Sequence, residues 1–256
     1  MTRTARAAAL TAACALFIAP AAAEEDERRS GYDDMNPETQ AIQDDDFSNP
    51  GMFWVQEGEA LFATPEGNAS RACADCHDAA EMDGIAARYP AFDEKSGTAV
   101  DLPGRVNLCR VRHQEADPLP RESRELLALT AFIGNRSRGL PITPDPDPRM
   151  NEWRERGAEL YDTRIGQLNF ACANCHDANA GRSLAGNVIP QAHPTGYPLY
   201  RFEWQELGSL QRRLRNCMIG FRAEPYAYGD EAFIAIEAFL MQRAAGMEIE
   251  TPAVRP

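Results

Sequence analysis

Beyond its N-terminal segment, the chain has no run approaching the roughly 20 apolar residues that a bilayer-spanning helix needs, so no membrane insertion of the mature protein is expected. Cations are also scarce. Lys and Arg number 26 against 39 Asp and Glu, for a net charge of −13, and Lys95 is the single lysine. Phosphate backbones demand basic surfaces, so a general nucleic-acid binder is excluded and any anion site must be local. Period-two alternation of apolar and polar residues is missing throughout, which argues against a sheet architecture. The 44% apolar and 25% charged content is that of a globular protein, and 256 residues suffice for one large domain or two small ones.

The apolar run is confined to the start. Met1–Ala23 carries Arg3 and Arg6, then Ala7–Pro20, then three alanines before Glu24. This is the pattern of a secretory signal with a small-residue cleavage site, so the mature protein is expected to be exported, to a periplasm. Cys14 leaves with the signal. Six cysteines remain, and in an oxidising compartment three disulfides would be the default. Spacing overrules it. Cys73-Ala-Asp-Cys76-His77 and Cys172-Ala-Asn-Cys175-His176 are both C-x-x-C-H, the signature of c-type haem attachment. Two thiols three positions apart can add to the two vinyl groups of one porphyrin, and the adjacent histidine then reaches its iron. Two haem c groups are expected, with a zinc or disulfide use of the motifs as the alternative.

The surroundings of the motifs repeat. Trp54-x-x-x-Gly58-x-x-Leu61-Phe62 and Trp153-x-x-x-Gly157-x-x-Leu160-Tyr161 are offset by 99, as are the motifs themselves. Downstream, Ala128–Ile133 followed by Gly139-Leu-Pro-Ile matches Ala235–Leu240 followed by Gly246-Met-Glu-Ile. An internal duplication is the economical account. Each half reads as an N-terminal helix, the motif, a long loop, a middle helix with a cysteine, and a C-terminal helix, over Glu122–Ile133 and Asp230–Arg243 by apolar spacing. The expected fold is all-α: two tandem class-I-like cytochrome c domains, 49–140 and 150–256. A Pro-rich linker at 141–149 joins them, and a polar, extended N-terminal arm at 24–48 precedes them.

Clean electron transfer asks for a second axial ligand besides His77 or His176. Met82, Met150, Met218, Met241 and Met247 do not recur at matched positions, but Cys109 and Cys217 do, 108 apart, close to the 107 between Phe132 and Phe239. Each follows an arginine by four residues, Arg105 and Arg213, which on a helix is the same face. A neighbouring guanidinium favours the thiolate, and His/thiolate ligation lowers a haem potential relative to His/Met. The alternatives are a Cys109–Cys217 disulfide, or His113 as ligand of the first haem. Five arginines, Arg201, Arg212, Arg213, Arg215 and Arg222, against Glu203 and Glu206 make the segment around Cys217 cationic in an acidic protein, which suits an anionic substrate or partner.

The segment Trp204-Gln-Glu-Leu-Gly-Ser-Leu-Gln-Arg212-Arg213-Leu-Arg-Asn-Cys217, with Arg222-Ala-Glu-Pro225 and the ending Gly246–Arg255, closely resembles the SoxA family, the dihaem subunits of the SoxAX cytochromes of thiosulfate oxidation. The resemblance spans about residues 50 to 255. It implies an L-cysteine S-thiosulfotransferase, paired with a SoxX-type monohaem cytochrome, that oxidatively joins thiosulfate to a cysteine of a SoxYZ-type carrier. It further implies that Cys217 is the active-site cysteine and a ligand of the second haem iron, able to carry an extra sulfur as a persulfide, and that Arg213 holds the substrate anion. Cys109 is then the sixth ligand of the first haem, the four motif cysteines attach the haems, and His77 and His176 are the proximal ligands. Gln211 stands where a histidine is frequent in the family and takes no role from the resemblance. Some members lack the first haem. The competing functional readings from the residues alone are a plain dihaem electron carrier and a dihaem peroxidase; the matched distal cysteines argue against the latter.

Overall fold

The computed structural model describes residues 26–256 and Thr2. The signal segment 1–23, apart from Thr2, and residues 24 and 25 of the arm lie outside the described residues. The helices are α1 (Pro37–Asp44), α2 (Met52–Phe62), α3 (Leu102–Cys109), α4 (Arg124–Asn135), α5 (Met150–Asp162), α6 (Cys172–His176), α7 (Leu210–Gly220) and α8 (Glu231–Arg243). The duplication is visible in how they cross. α2 lies against α4 with Gly58 at the contact, where a Cβ would stand 2.0 Å from the Ala128 carbonyl oxygen, and α5 lies against α8 with Gly157 at 2.0 Å from that of Ala235. Backbone approach this close requires glycine. One turn on, Phe62 meets Phe132 at 5.3 Å between ring centroids, and Tyr161 meets Phe239 at 5.1 Å. The C-terminal helices begin where a side chain can cap them: Ser123 accepts from the Leu126 amide, and Asp230 from that of Ala232.

The fold is helix-rich but not purely helical. Three short hairpins occur: β1 (Ala91–Asp93) with β2 (Thr98–Val100), β3 (Ser183–Leu184) with β4 (Asn187–Val188), and β5 (Leu199–Arg201) with β6 (Glu206–Gly208). The parallel strand β7 (Ala253–Arg255) extends the last of these on the other side of β5. Strands of two or three residues are too short for period-two patterning, and β5 is buried at every position. Trp204-to-Met218 reads as one helix from its leucine spacing; instead Leu207 belongs to β6, Ser209 caps α7, and the helix starts at Leu210. The N-terminal arm is not wholly extended either. Asn36 caps α1, whose Gln43 accepts from the Val254 amide and so docks the arm on β7.

The halves interlock. Tyr200 and Leu207, from the second half's hairpin, are buried in the core of α2 and α4, with Tyr200 6.1 Å from the Trp54 ring. Reciprocally, Ala99 and Phe92 of the first half's hairpin pack with Met150, Ile234 and Ala238 of α5 and α8. Residues 141–149 contain no helix before α5, but they are more than a spacer. The duplicated Gly-x-x-Ile segments pair with each other: the Gly139 amide donates to Ile249 and the Gly246 amide to Ile142, each at 2.8 Å. The two bonds are reciprocal between the duplicated segments.

The N-termini of α3 and α7 meet in a buried polar cluster. Asp101, the α3 cap, accepts from Gly104 (2.8 Å), from Gln211 Nε2 of α7 (3.0 Å) and from both ends of the Arg121 guanidinium. Glu237 of α8 faces this cluster, and its burial, aided by the Asp101 charge, raises its pKa well above the ordinary carboxyl range. A carboxyl that holds its proton more tightly folded than unfolded makes stability fall as pH rises from its unfolded pKa through its folded one. Glu237→Gln is therefore expected to leave Tm near wild type at pH 5 and to raise it at pH 8. Melting curves displaced equally at both pH values would contradict this.

Candidate functional site

Two apolar cavities follow from the repeat. The first, of about 350 Å³, has Cys73, Cys76 and His77 on one side and Cys109 and His113 on the other, with Phe62, Val106, Leu129 and Ile133 among its walls. The second, of about 60 Å³, brings together Cys172, His176 and Cys217 with Leu214, Met218, Phe233, Ile236 and Leu240. Cys175 is half-buried one turn from Cys172 but does not line it. Of the methionines, Met82 reaches the first cavity and Met218 the second; Met150, Met241 and Met247 belong to core clusters elsewhere. All six described cysteines are free thiols, so Cys109 and Cys217 form no disulfide. Among the described residues, no three His, Cys, Asp or Glu side chains converge to hold a metal ion on their own, so the zinc use of the motifs has no ligand set.

The distal cysteines are matched in three dimensions. Each stands eight positions after its helix cap, Cys109 after Asp101 and Cys217 after Ser209, and Arg105 and Arg213 stand four after the same caps. The downstream register of 107 is restored by one turn of π-helix, Arg110–Gln114, which takes up the extra residue of the first half. His113 lies on that turn, which the second half lacks.

Electrostatics separate the two sites. Arg105 is neutralised by Asp93 at 2.7 Å, and Arg112 holds the same carboxylate at 2.7 Å. Arg112 and then Ser96 and Arg105 keep the Asp93 carboxyl far below the usual range. Arg213, by contrast, has no hydrogen-bond or carboxylate partner among the described residues. It lines a further cavity of about 140 Å³ with Arg201, Arg255, Tyr197 and His193. Two other arginines of the cationic segment serve structure: Arg212 pairs with Glu206 and lies over Trp204, and Arg215 binds the Tyr226 carbonyl and lies over Tyr228. His176 donates from Nδ1 to the Pro190 carbonyl at 2.8 Å, which orients the ring and leaves Nε2 as the free nitrogen. Burial lowers its pKa and keeps it neutral, as a metal ligand must be. Burial, with Cys217 close by, pushes the Cys172 thiol up to about 11.

A model of the SoxA/TsdA cytochrome c domain matches residues 57–142 and again 156–249, one match per half. The chain belongs to the SoxA/TsdA cytochrome c family. It is 38% identical over 90% of its length, and 82% of the relative's, to the L-cysteine S-thiosulfotransferase subunit SoxA of Pseudaminobacter salicylatoxidans. The SoxA of Rhodovulum sulfidophilum is 36% identical over 90% of this chain and 81% of its own. Among solved structures, SoxXA from P. pantotrophus superposes with a TM-score of 0.86 at 30% identity, covering 90% of this chain and 87% of that one. Members of this cytochrome c family carry covalently attached haem c, and the donor sets fit it: Cys73, Cys76, His77 and Cys109 line one apolar cavity, and Cys172, His176 and Cys217 line the other.

Sequence reasoning named both cysteine pairs, both histidines and both distal cysteines. It missed Asp93 and gave Arg201 no individual role. The signal for both was present, since Tyr-Pro recurs at 89 and 197 with the 108 offset of the cysteines.

Proposed function

We propose that the protein is the dihaem subunit of a periplasmic L-cysteine S-thiosulfotransferase, which pairs with a SoxX-type monohaem cytochrome and conjugates thiosulfate to a cysteine of a SoxYZ-type carrier. The observation that carries this reading is Arg213: an unpaired guanidinium one helical turn from Cys217, beside the second C-x-x-C-H motif. The named relatives support the same activity. The net reaction joins the thiosulfate sulfane sulfur to the carrier thiol sulfur, releasing one proton and two electrons. Haem c, when bound, accepts those electrons one at a time. Arg213 holds the sulfonate end of the substrate; the Cys217 thiolate bonds to the sulfane sulfur of intact thiosulfate with loss of the two electrons, and the carrier thiol then attacks that sulfur, displacing the Cys217 thiolate and releasing the proton. In this reading Cys73 and Cys76 attach the first haem with His77 and Cys109 as ligands, and Cys172 and Cys175 attach the second with His176 and Cys217. Domain 49–140 carries the first haem, 150–256 the second, and 141–149 is their proline-rich joint.

The test incubates the protein and its cytochrome partner with thiosulfate, carrier and an electron acceptor. Mass spectrometry of the carrier then reports whether thiosulfate is added. Electron transfer without any modified carrier would favour a plain electron carrier. Intact mass of the exported protein is expected to give the signal-cleaved chain plus two haems, and low-temperature EPR to give two low-spin thiolate-ligated ferric signals. A single haem, or a spectrum dominated by His/Met ligation, would overturn the ligand assignment.

A further inference from the structure

The two halves carry the same hairpin ahead of the distal helix, and its geometry repeats at the 108 offset. Asp93 pairs with Thr98 in the first, and Arg201 with Glu206 in the second. The turn is closed identically, by Gly97 donating to the Asp93 carbonyl and Gln205 to that of Arg201, both at 2.8 Å, with Gly97 and Gln205 both at positive φ. The helix caps, the arginines one turn in, and the cysteines one turn further all keep this offset. Asp93 and Arg201 are therefore equivalent positions facing equivalent arginines. In the first half the pair is Asp93 with Arg105, a closed ion pair at 2.7 Å. In the second it is Arg201 with Arg213, two like charges on one cavity.

We propose that Arg201 and Arg213 form an anion clamp, in which the sulfonate of the substrate lies between them and gives Arg213 the counter-charge that the Asp93 carboxylate gives Arg105 in the first half. The proposal rests on the thiosulfate reading of the site and adds to it the second guanidinium. Arg201 is buried, 8% exposed, and the fold anchors it along one edge of the guanidinium. Its Nε donates to an oxygen of Pro256, the last residue, at 2.9 Å, its guanidinium lies 5.3 Å from the Trp204 ring, and one terminal nitrogen pairs with the exposed carboxylate of Glu203 at 3.1 Å. Arg255 stands beside it, since the parallel pairing of β5 with β7 sets Arg201 and Arg255 in register on one face. Arg255 is already satisfied by Glu250 and Gln43. The carboxylate on the cavity wall, Asp34, is held by Arg29 at 2.8 Å. Arg213 is thus left without a partner among the described residues, and Arg201, held at Nε and at one terminal nitrogen, keeps its other terminal nitrogen for a ligand. Burial, and then the neighbouring Arg213, weaken the hold of Arg201 on its proton, and Glu203 offsets this only in part. The cavity, of about 140 Å³, suits a small tetrahedral oxyanion. A guanidinium fork on each side suits sulfonate oxygens better than a point charge would.

The decisive variant is Arg201→Asp, which rebuilds in the second half the ion pair that the first half already tolerates, so the fold is expected to survive with both haems attached. Arg201→Gln accompanies it as the neutral change. Sulfate, a tetrahedral dianion without a transferable sulfur, is titrated calorimetrically into the haem-loaded complex at low ionic strength, and thiosulfate kinetics are measured in parallel. One sulfate per chain is expected for wild type. Both variants are expected to weaken sulfate binding and to raise KM for thiosulfate by roughly 10- to 100-fold, the range for losing a charge-assisted contact. Arg201→Asp should have the larger effect and kcat should move less than KM. Wild-type sulfate affinity and KM in Arg201→Gln, or no sulfate binding by wild type, would overturn the clamp. Thiosulfate turnover independent of Arg201 sinks the clamp and leaves the enzyme reading standing; Arg201-dependent sulfate binding without any thiosulfate turnover does the reverse.

Discussion

Cys217→Ala is expected to abolish thiosulfate conjugation, with a loss on the order of 10³-fold or more, as when a covalent nucleophile is removed. The expectation follows from where the sulfur sits. α7 carries Cys217 to the cavity that holds Cys172 and His176, and the same helix presents Arg213 one turn earlier toward the anion cavity. No other described cysteine combines a distal position with an unpaired arginine. Cys109, its counterpart, lies in a half where Arg105 is closed off by Asp93. Cys109→Ala should accordingly alter the spectrum of the first haem with a much smaller effect on rate. Arg213→Lys keeps the charge and loses the fork, so turnover should fall by roughly 10- to 100-fold with both haems attached. Steady-state conjugation to the carrier, with haem content measured on the same samples, checks all three. Substantial conjugation by Cys217→Ala would reduce this cysteine to a ligand or a structural thiol and remove it from the sulfur-transfer step.

The motifs, the duplication and the long helices were legible because each leaves a pattern in the chain. C-x-x-C-H is a local covalent requirement, and α4 and α8 are long apolar runs buried on nearly every side. Matching Cys109 to Cys217 needed only the offset. What escaped has a common physical cause: it depends on contacts between the halves or on elements too short to pattern. Leu207 looks helical beside Leu210 and Leu214, yet it is fully buried in the other half's core from a three-residue strand. Tyr200 and Val254 reach that same core. The all-α reading with two separate cores therefore missed the sheet β6-β5-β7, and with it the register that sets Arg201 beside Arg255. Local sequence does not announce a partner from the opposite half, and Asp93 with Arg105 looks like any surface pair until the hairpin is folded.

The interlocking of the halves sets the second large expectation. At Gly157 a Cβ would lie 2.0 Å from the Ala235 oxygen, 2.7 Å from its carbonyl carbon and 2.8 Å from Phe239 Cβ, and the first two are helix backbone that cannot rotate away. Gly157→Val must push α5 and α8 apart, unseating the Tyr161–Phe239 contact and the wall that Phe233, Ile236 and Leu240 give to the Cys217 cavity. The cost should reach about 3 kcal/mol or more, the upper end for overpacking, since here the obstacle is backbone. At this chain length that corresponds to a fall in Tm of roughly 6–12 °C. Because α8 also buries Ile234 and Ala238 against the first half's hairpin, the loss should not stay in one half. Melting followed at the haem bands and by far-UV circular dichroism should shift together as one transition. Gly220→Ala is the matched comparison: it ends α7 with nothing within 4 Å of the added carbon, so it should leave Tm unchanged or slightly raised. A wild-type Tm in Gly157→Val would mean the crossing has slack. Two separate transitions would mean that the reciprocal packing of the hairpins does not couple the halves.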